Sequence, residues 1–179
     1  MIDLSTYRSH FDRGATLPKE ALWWVVKCLF FLPKYPLPSR FRTGLLRLFG
    51  AKIGTGVVVR AGVNITFPWR LTLGDHVWLG EEVMLLNLAP IQVGSHVCVS
   101  QRAFLCTGSH RFDQSTFDLV TKEIVVEDGC WIAAGSFICP GVRMQRGSMC
   151  AAGSVVTRDV ASGAVVGGNP ARPIRSAAI

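Results

Sequence analysis

The stretch VEDGCWIAAGSFICPGVRMQRGSMCAAGSVV, residues 126–156, follows a rule that recurs every six residues. We number the places of each six-residue unit from one to six. The first places hold aliphatic, Met or Cys side chains, namely Val126, Ile132, Ile138, Met144, Cys150 and Val156. Four residues after each of them, at the fifth place, stands Val, Ser or Cys; these residues are Cys130, Ser136, Val142, Ser148, Ser154 and, just beyond the stretch, Val160. A helix would show a period of about 3.6 residues and a strand a period of about two. The period of six therefore indicates a chain that coils by repeating one short unit.

The same pattern at the first and fifth places extends over most of the chain, with breaks near residues 71, 91 and 111. First places begin at Ile53, and fifth places hold Val, Ala, Ser or Cys with the exception of Trp69. A strand of about four residues and a turn, repeated three times, closes a three-sided coil, and such coils stack through parallel strands. A β-sandwich would show a period of about two and a strand every 8–12 residues or so. That pattern is absent.

We therefore predict an all-β fold, a parallel β-helix of about five coils over residues 51–175. The longest break, residues 111–123, is predicted to be a loop extruded from the coil. Residues 176–179 are assigned to a C-terminal tail. Glycines at second places are expected to relieve the turns; they are Gly54, Gly74, Gly80 and Gly94.

Residues 1–50 follow a different pattern and form a separate N-terminal segment. KEALWWVVKCLFFL (19–32) and RFRTGLLRLF (40–49) predict two amphipathic helices, separated by the proline-rich PKYPLP (33–38). The helices are expected to cap the open end of the β-helix, to make a peripheral membrane contact through residues 18–49, or to do both. The apolar run of the first helix contains Lys27 and is shorter than the roughly 20 residues that span a bilayer.

Composition narrows the class of protein and of partner. The chain has 179 residues, of which 49% are hydrophobic and 17% charged, which argues against disorder. A net charge of +7 favours an anionic partner, although no nucleic-acid recognition motif is present. Six cysteines form no C-x-x-C pair, and no signal-peptide pattern occurs. These features predict a reduced, cytoplasmic protein that binds no nucleic acid.

His110 is the strongest candidate for chemistry from the residues alone. It stands directly before the only long break in the repeat, and long loops in compact domains are usually functional or disordered. An imidazole can accept a proton near neutral pH. His76 and His96 occupy equivalent turn positions and are expected to stack in solvent. A zinc site with three histidines is not predicted, because no close histidine pair is present. Cys106 is expected to be a bystander.

Two stretches carry a resemblance to a known family. LCTGSHRFD (105–113) and GNPARPIR (168–175) resemble segments of the hexapeptide-repeat acyltransferases. More narrowly, NLAPIQVGSHVCVSQRAFLCTGSH (87–110), together with the helical N-terminus, resembles their colanic-acid-type exopolysaccharide O-acetyltransferases. The resemblance implies a left-handed β-helix, acetyl-CoA as acetyl donor, and His110 as the catalytic base. It also implies a homotrimer with active sites between subunits.

The resemblance assigns further roles residue by residue. It implies that acetyl-CoA is contacted by Trp131, Ala134, Ala152, Thr157, Arg158, Arg172 and Arg175. The backbone N–H near Ala134 would stabilise the oxyanion. Relatives hold their sugars with an Asn and an Asp that do not align here, so the acceptor is expected to differ. The candidates for binding it are Asn87, Glu82 and Asp113.

The sequence thus predicts transfer of an acetyl group to a sugar hydroxyl of a bacterial exopolysaccharide or its lipid-linked precursor. The enzyme is expected in the cytoplasm or at the inner face of the cytoplasmic membrane, without a metal. Two alternatives stay open. One is N-acetylation of an amino sugar or another amine, and the other is a non-catalytic β-helix scaffold in polysaccharide synthesis.

Overall fold

A computed structural model describes residues 2–8 and 11–176. Helices α1 (Leu17–Phe30) and α2 (Ser39–Leu48) precede a β-solenoid with three parallel sheets, one on each side of the coil. The first sheet contains β1 (Lys52–Ile53), β4 (Leu71–Leu73), β7 (Ile91–Val93), β12 (Ile124–Val126) and β15 (Arg143–Met144). The second contains β2 (Val58–Val59), β5 (Trp78–Leu79), β8 (Cys98–Val99), β13 (Trp131–Ile132), β16 (Met149–Cys150) and β18 (Ala164–Gly168). The third contains β3 (Asn64–Ile65), β6 (Met84–Leu86), β9 (Phe104–Cys106), β14 (Phe137–Ile138) and β17 (Val155–Val156).

The coil count is slightly higher than predicted. Five coils are complete, and Val160 with β18 begins a sixth before β19 (Ala171–Ser176) folds back antiparallel on β18. Strand partners are 20 residues apart in the first three coils, as in Ile53 with Leu73. They are 18 apart between the fourth and fifth coils, as in Val126 with Met144, and 16 apart at the start of the sixth, as in Cys150 with Val166. The repeat predicted from the sequence is confirmed.

The interior follows the predicted places closely. First-place side chains from Val59 to Val156 are buried, and so are the fifth-place side chains apart from Trp69 and Ser109. Trp69 lies in a short 3₁₀ helix, Pro68–Arg70. Ser109 falls on a fifth place by its spacing from Leu105, but it lies on a strand, Gly108–His110, that has already left the coil. Apolar burial of this kind is the dominant stabilising contribution to such a fold.

The second-place glycines do not relieve the turns, contrary to what the sequence predicts. None of them has a positive φ, and the left-handed turn residues are instead fourth-place residues such as Gly62, Glu82 and Arg102. A Cβ on Gly74 would lie 2.7 Å from the carbonyl carbon of Gly94 in the next coil. These glycines are therefore needed because neighbouring coils approach each other too closely for a side chain.

The three turns of each coil form three corners along the solenoid. The first corner, between the first and second sheets, carries His76 and His96, and the second, between the second and third sheets, carries Glu82. The third corner links the third sheet to the first sheet of the next coil, and it varies in length. Between β9 and β12 it holds a hairpin of β10 (Gly108–His110) and β11 (Leu119–Thr121). The predicted loop 111–123 therefore needs correction, because the chain leaves the coil before His110 and returns as a strand.

The two helices cover the open end of the first coil. Trp23, Phe31, Leu46 and Phe49 are buried there, and Trp23 Nε1 donates to the Ile65 carbonyl at 3.1 Å. The buried Arg42 guanidinium donates to four backbone carbonyls, those of Phe30, Tyr35, Leu37 and Val59. Because open strand edges promote association, this segment serves as a cap. Residues 177–179 of the expected tail lie outside the described residues.

No helix in the described ranges is both long and apolar enough to span a bilayer.

Candidate active site

His110 is the last residue of β10, and its ring is held by Phe117 on the other side of the hairpin. Its Nδ1 lies 2.8 Å from the Phe117 carbonyl oxygen. A carbonyl oxygen only accepts hydrogen bonds, so Nδ1 carries the proton and Nε2 presents its lone pair. The two rings also stack, with centroids 4.2 Å apart and planes within 3°. In its neutral form the imidazole is therefore held with Nε2 as the nitrogen that can accept a proton.

The hairpin that carries His110 is paired along its strands and is held to the coil at its base. Strands β10 and β11 pair antiparallel with His110 opposite Leu119, and Arg111 N–H donates to the Asp118 carbonyl at 2.9 Å. At its base, the buried Thr107 hydroxyl donates to the Leu86 carbonyl at 2.8 Å. An isolated hairpin is marginally stable. These contacts tie it to the rigid coil.

The N-terminal arm, residues 2–8 and 11–16, crosses the hairpin and reaches the third corner. Asp3 N–H donates to the Ser115 carbonyl at 2.8 Å, and the Tyr7 ring lies 6.1 Å from the His110 ring. Trp69 Nε1 donates to the Arg13 carbonyl at 2.8 Å. Sequence reasoning missed this arm, and its only signal was a few aromatic residues in a polar segment.

A cavity of about 410 Å³ opens between the arm, α1 and the hairpin. Its walls are formed by Tyr7, Phe11, Arg13, Glu20, Trp23, Trp24, Lys27, Thr66, Phe67, Leu88, His110 and Leu119. This volume lies in the usual range for small-molecule sites, and an apolar wall with a few polar groups is typical of them. The cavity places His110 beside room for a sugar-sized acceptor.

Asn87 lies next to this cavity but has no surface with which to touch a ligand. It is 0% exposed, its Oδ1 accepts from Phe67 N–H at 2.8 Å, and its Nδ2 donates to the Phe67 carbonyl at 2.6 Å. Asn87 therefore positions Phe67, which lines the cavity. The sequence predicts that Asn87 contacts the sugar, whereas in the structure its side chain holds Phe67.

Glu82 and Asp113 do not line the cavity. Glu82 lies on the second corner, where it pairs with Lys34 at 2.6 Å and Arg102 at 2.7 Å. These partners lower the pKa of Glu82 to about 2. Asp113 lies in the turn of the hairpin and accepts two hydrogen bonds from Arg111. Within this chain both carboxylates are engaged in ion pairs, and neither lines the cavity that contains His110.

The residues assigned to acetyl-CoA are spread over the second sheet, two corners and the C-terminal hairpin. Trp131 is 47% exposed on β13 and donates through Nε1 to Ser100 Oγ at 2.9 Å. Ala134 and Ala152 lie on the second corner, at equivalent turns of successive coils. Thr157 and Arg158 are exposed on the third corner. The third sheet separates the two groups, so one chain does not bring Ala134 and His110 together.

The remaining assigned residues lie in the C-terminal hairpin. Arg172 is exposed on β19, and its guanidinium donates to the Ala171 carbonyl at 3.0 Å. The side chain of Arg175 lies outside what the structure describes.

The other histidines and the cysteines differ from His110 in their surroundings. His76 and His96 stack on the first corner with ring centroids 5.1 Å apart, and both are exposed, as expected from the sequence. Burial raises the pKa of the Cys130 and Cys150 thiols, which keeps them protonated and unreactive. In the described ranges, no three His, Cys, Asp or Glu side chains cluster closely enough to hold a metal ion.

The chain is similar to named acetyltransferases over most of its length. A putative colanic acid biosynthesis acetyltransferase of Escherichia coli (strain K12) is 43% identical over 163 residues, covering 91% of this chain and 90% of that protein. No protein-family model matches the chain.

Solved structures share the fold. A hexapeptide-repeat containing acetyltransferase of Vibrio cholerae O1 biovar eltor, in complex with acetyl-CoA, superposes with a TM-score of 0.84 at 30% identity. The match covers 96% of this chain and 94% of that one. A galactoside acetyltransferase in complex with coenzyme A has a TM-score of 0.81 at 21% identity, covering 94% and 85%. The second similarity concerns the fold alone.

Proposed function

Since the chain belongs to the hexapeptide-repeat acetyltransferases, we propose that it transfers an acetyl group from acetyl-CoA to a sugar hydroxyl. The acceptor is part of a bacterial exopolysaccharide or its lipid-linked precursor. The name of the Escherichia coli relative supports the pathway, and the acetyl-CoA complex of the Vibrio cholerae relative supports the donor. The reaction takes place in the cytoplasm, where acetyl-CoA is formed.

The orientation of His110 carries this proposal. Its Nδ1–H is held by the Phe117 carbonyl, so Nε2 takes the proton of the acceptor hydroxyl as that oxygen attacks the thioester carbonyl. A backbone N–H near Ala134 donates to the oxyanion. The imidazolium then returns the proton to the departing sulfur, which leaves an acetyl ester and free CoA.

We further propose that the active site forms between two chains of a homotrimer. His110 lies on the third corner and Ala134 on the second, so a neighbouring copy is needed to bring them together. Two sheets present apolar outward rows, Trp78 and Trp131 on the second and Phe104 and Phe137 on the third. The first sheet presents polar side chains such as Thr72 and Gln92. Apolar faces of this kind suit association between copies.

We also propose that α1 contacts an anionic membrane surface. Its outward residues are apolar and exposed; they include Leu17, Leu22, Trp24, Val25 and Leu29. The net charge of +7 complements anionic lipid headgroups. Trp24 also lines the His110 cavity, so this contact would place the cavity near lipid-linked sugars.

Replacing His110 tests the catalytic role. His110→Ala is expected to lower kcat by roughly 10²–10⁴-fold, because the acceptor hydroxyl loses its base. Release of CoA from acetyl-CoA in the presence of sugar acceptors measures the rate. Thermal stabilisation by acetyl-CoA should be retained, because the imidazole is not needed to hold the donor.

His96→Ala is the matched control, since His96 is an exposed histidine on a different corner. It should keep the rate of the unmodified protein. Turnover of His110→Ala at the rate of His96→Ala would refute the assignment of the base.

A further inference from the structure

Lys27 is placed in the same cavity as His110 by the periodicity of α1. It follows Trp23 by one helical turn, and Trp23 follows Glu20 by three residues, so the three side chains share one face of the helix. That face lines the cavity, with His110 on the opposing hairpin. The Lys27 side chain is half-buried.

The charges around the cavity do not cancel. Arg13 on the arm and Glu20 on α1 form an ion pair with Nη1 and Oε1 2.7 Å apart. Among the described residues, the Lys27 ammonium forms neither an ion pair nor a hydrogen bond. Burial lowers the pKa of Lys27, because its ammonium is partly desolvated and no carboxylate compensates. One uncompensated positive charge therefore faces the cavity.

We propose that Lys27 selects an acceptor sugar that carries a negatively charged group, a phosphate or a carboxylate. This inference rests on the proposed function, since it names the substrate class of the same site. An ammonium is a compact charge that pairs with either anion, and a partly desolvated charge gains most from such a partner.

The walls of the cavity fit the remainder of such a ligand. Tyr7, Phe11 and Trp24 present aromatic surface on which the apolar face of a pyranose ring can pack. The basic residues assigned to acetyl-CoA, Arg158 and Arg172, do not line this cavity. Lys27 is therefore available to the acceptor.

The test compares neutral and anionic forms of the same sugar. Glucose and galactose, their uronates and their 1-phosphates are the probes, with binding measured by calorimetry in the presence of CoA and turnover measured by CoA release. The unmodified protein is expected to bind at least one anionic form more tightly than its neutral match. Preference for the phosphates or for the uronates identifies which anion the site takes.

Lys27→Met keeps the length of the stem and removes the charge. It is expected to weaken binding of the preferred anionic probe by roughly tenfold to a hundredfold while leaving the neutral match unchanged. Lys27→Arg should restore most of the preference. Lys34→Met removes the same charge from the same segment outside the cavity and should leave the preference intact.

Three results would overturn the inference: no anionic preference in the unmodified protein, an equal loss for both forms in Lys27→Met, or the same effect in Lys34→Met. These results leave the acetyltransferase proposal standing. Failure to transfer acetyl groups to any probe, with charge selection retained, would count against the O-acetyltransferase proposal instead.

Discussion

At the scale of single residues, the coils stack so closely that replacing one glycine hydrogen by a methyl group has a large effect on stability. A Cβ on Gly80 would lie 2.6 Å from the amide nitrogen of Gln101 and 2.8 Å from the carbonyl carbon of Ser100. Both atoms belong to the backbone of the next coil, so neither can rotate away. Gly80→Ala is expected to reduce the free energy of unfolding by about 1–3 kcal/mol, the usual cost of overpacking. Chemical denaturation measures the change.

Gly44→Ala is the matched substitution with the opposite expected sign. Gly44 is exposed inside α2, and a Cβ there meets no atom within 4 Å. Alanine should raise the free energy of unfolding by about 0.5–1 kcal/mol, because glycine is entropically costly in a helix. An unchanged or raised free energy of unfolding in Gly80→Ala would contradict close coil stacking as the reason for Gly80.

At the scale of elements, α1 has two faces with separate tasks. Trp23 is buried against the first coil, whereas Leu22 and Leu29 are 57% and 53% exposed. The double variant Leu22→Gln with Leu29→Gln should bind vesicles containing phosphatidylglycerol at least about tenfold more weakly, because each buried leucine contributes about 1.5–3 kcal/mol. Co-sedimentation with the vesicles measures binding.

The control for this experiment is Ile174→Gln. Ile174 is an exposed apolar residue on β19, far along the chain from the cap. It should leave vesicle binding unchanged. Equal binding by the double variant and the unmodified protein, or no binding by either, would contradict the membrane contact.

The elements also differ in how far the sequence predicts them. The coils were predictable because each six-residue unit buries one large and one small side chain. This produces a period that is visible in any short stretch of the sequence. The arm has no such period. Its contact between Arg13 and Trp69 joins residues 56 positions apart, and only the folded chain shows it.

The residues of the candidate site also differ in how far the sequence predicts them. His110 was found because it adjoins the break in the repeat. Lys27 was hidden in an apolar helix, where a lone lysine gives no sign of the cavity that it faces. Asn87 was found as a polar residue, but its burial against Phe67 could not be read from the sequence.

At the scale of the whole molecule, the proposed active site between subunits predicts that two different inactive variants restore activity when they assemble together. His110→Ala removes the base, and Trp131→Glu places a charge on the face assigned to acetyl-CoA, so each variant alone should be inactive. Mixed trimers purified after co-expression of both should recover about a third of the activity, because a trimer that holds both kinds of chain has one intact site among its three. Activity is measured on doubly tagged, purified mixed trimers.

Mixing the two purified homotrimers without exchange of subunits is the control and should give no recovery. If co-expressed mixed trimers were equally inactive, each site would lie within one chain.

The third corner has one more consequence, for how such an enzyme can be diversified. The first two corners keep one length through the complete coils, whereas the third takes a 3₁₀ turn at Pro68–Arg70 and a whole hairpin after Cys106. Strand register before and after these insertions is unchanged, as shown by Ile91 pairing with Ile124 across the hairpin. The hairpin that carries His110 can therefore be exchanged while the coils above and below it stay as they are. If it binds the acceptor as proposed, this point of the third corner is where an engineer would graft a new sugar specificity.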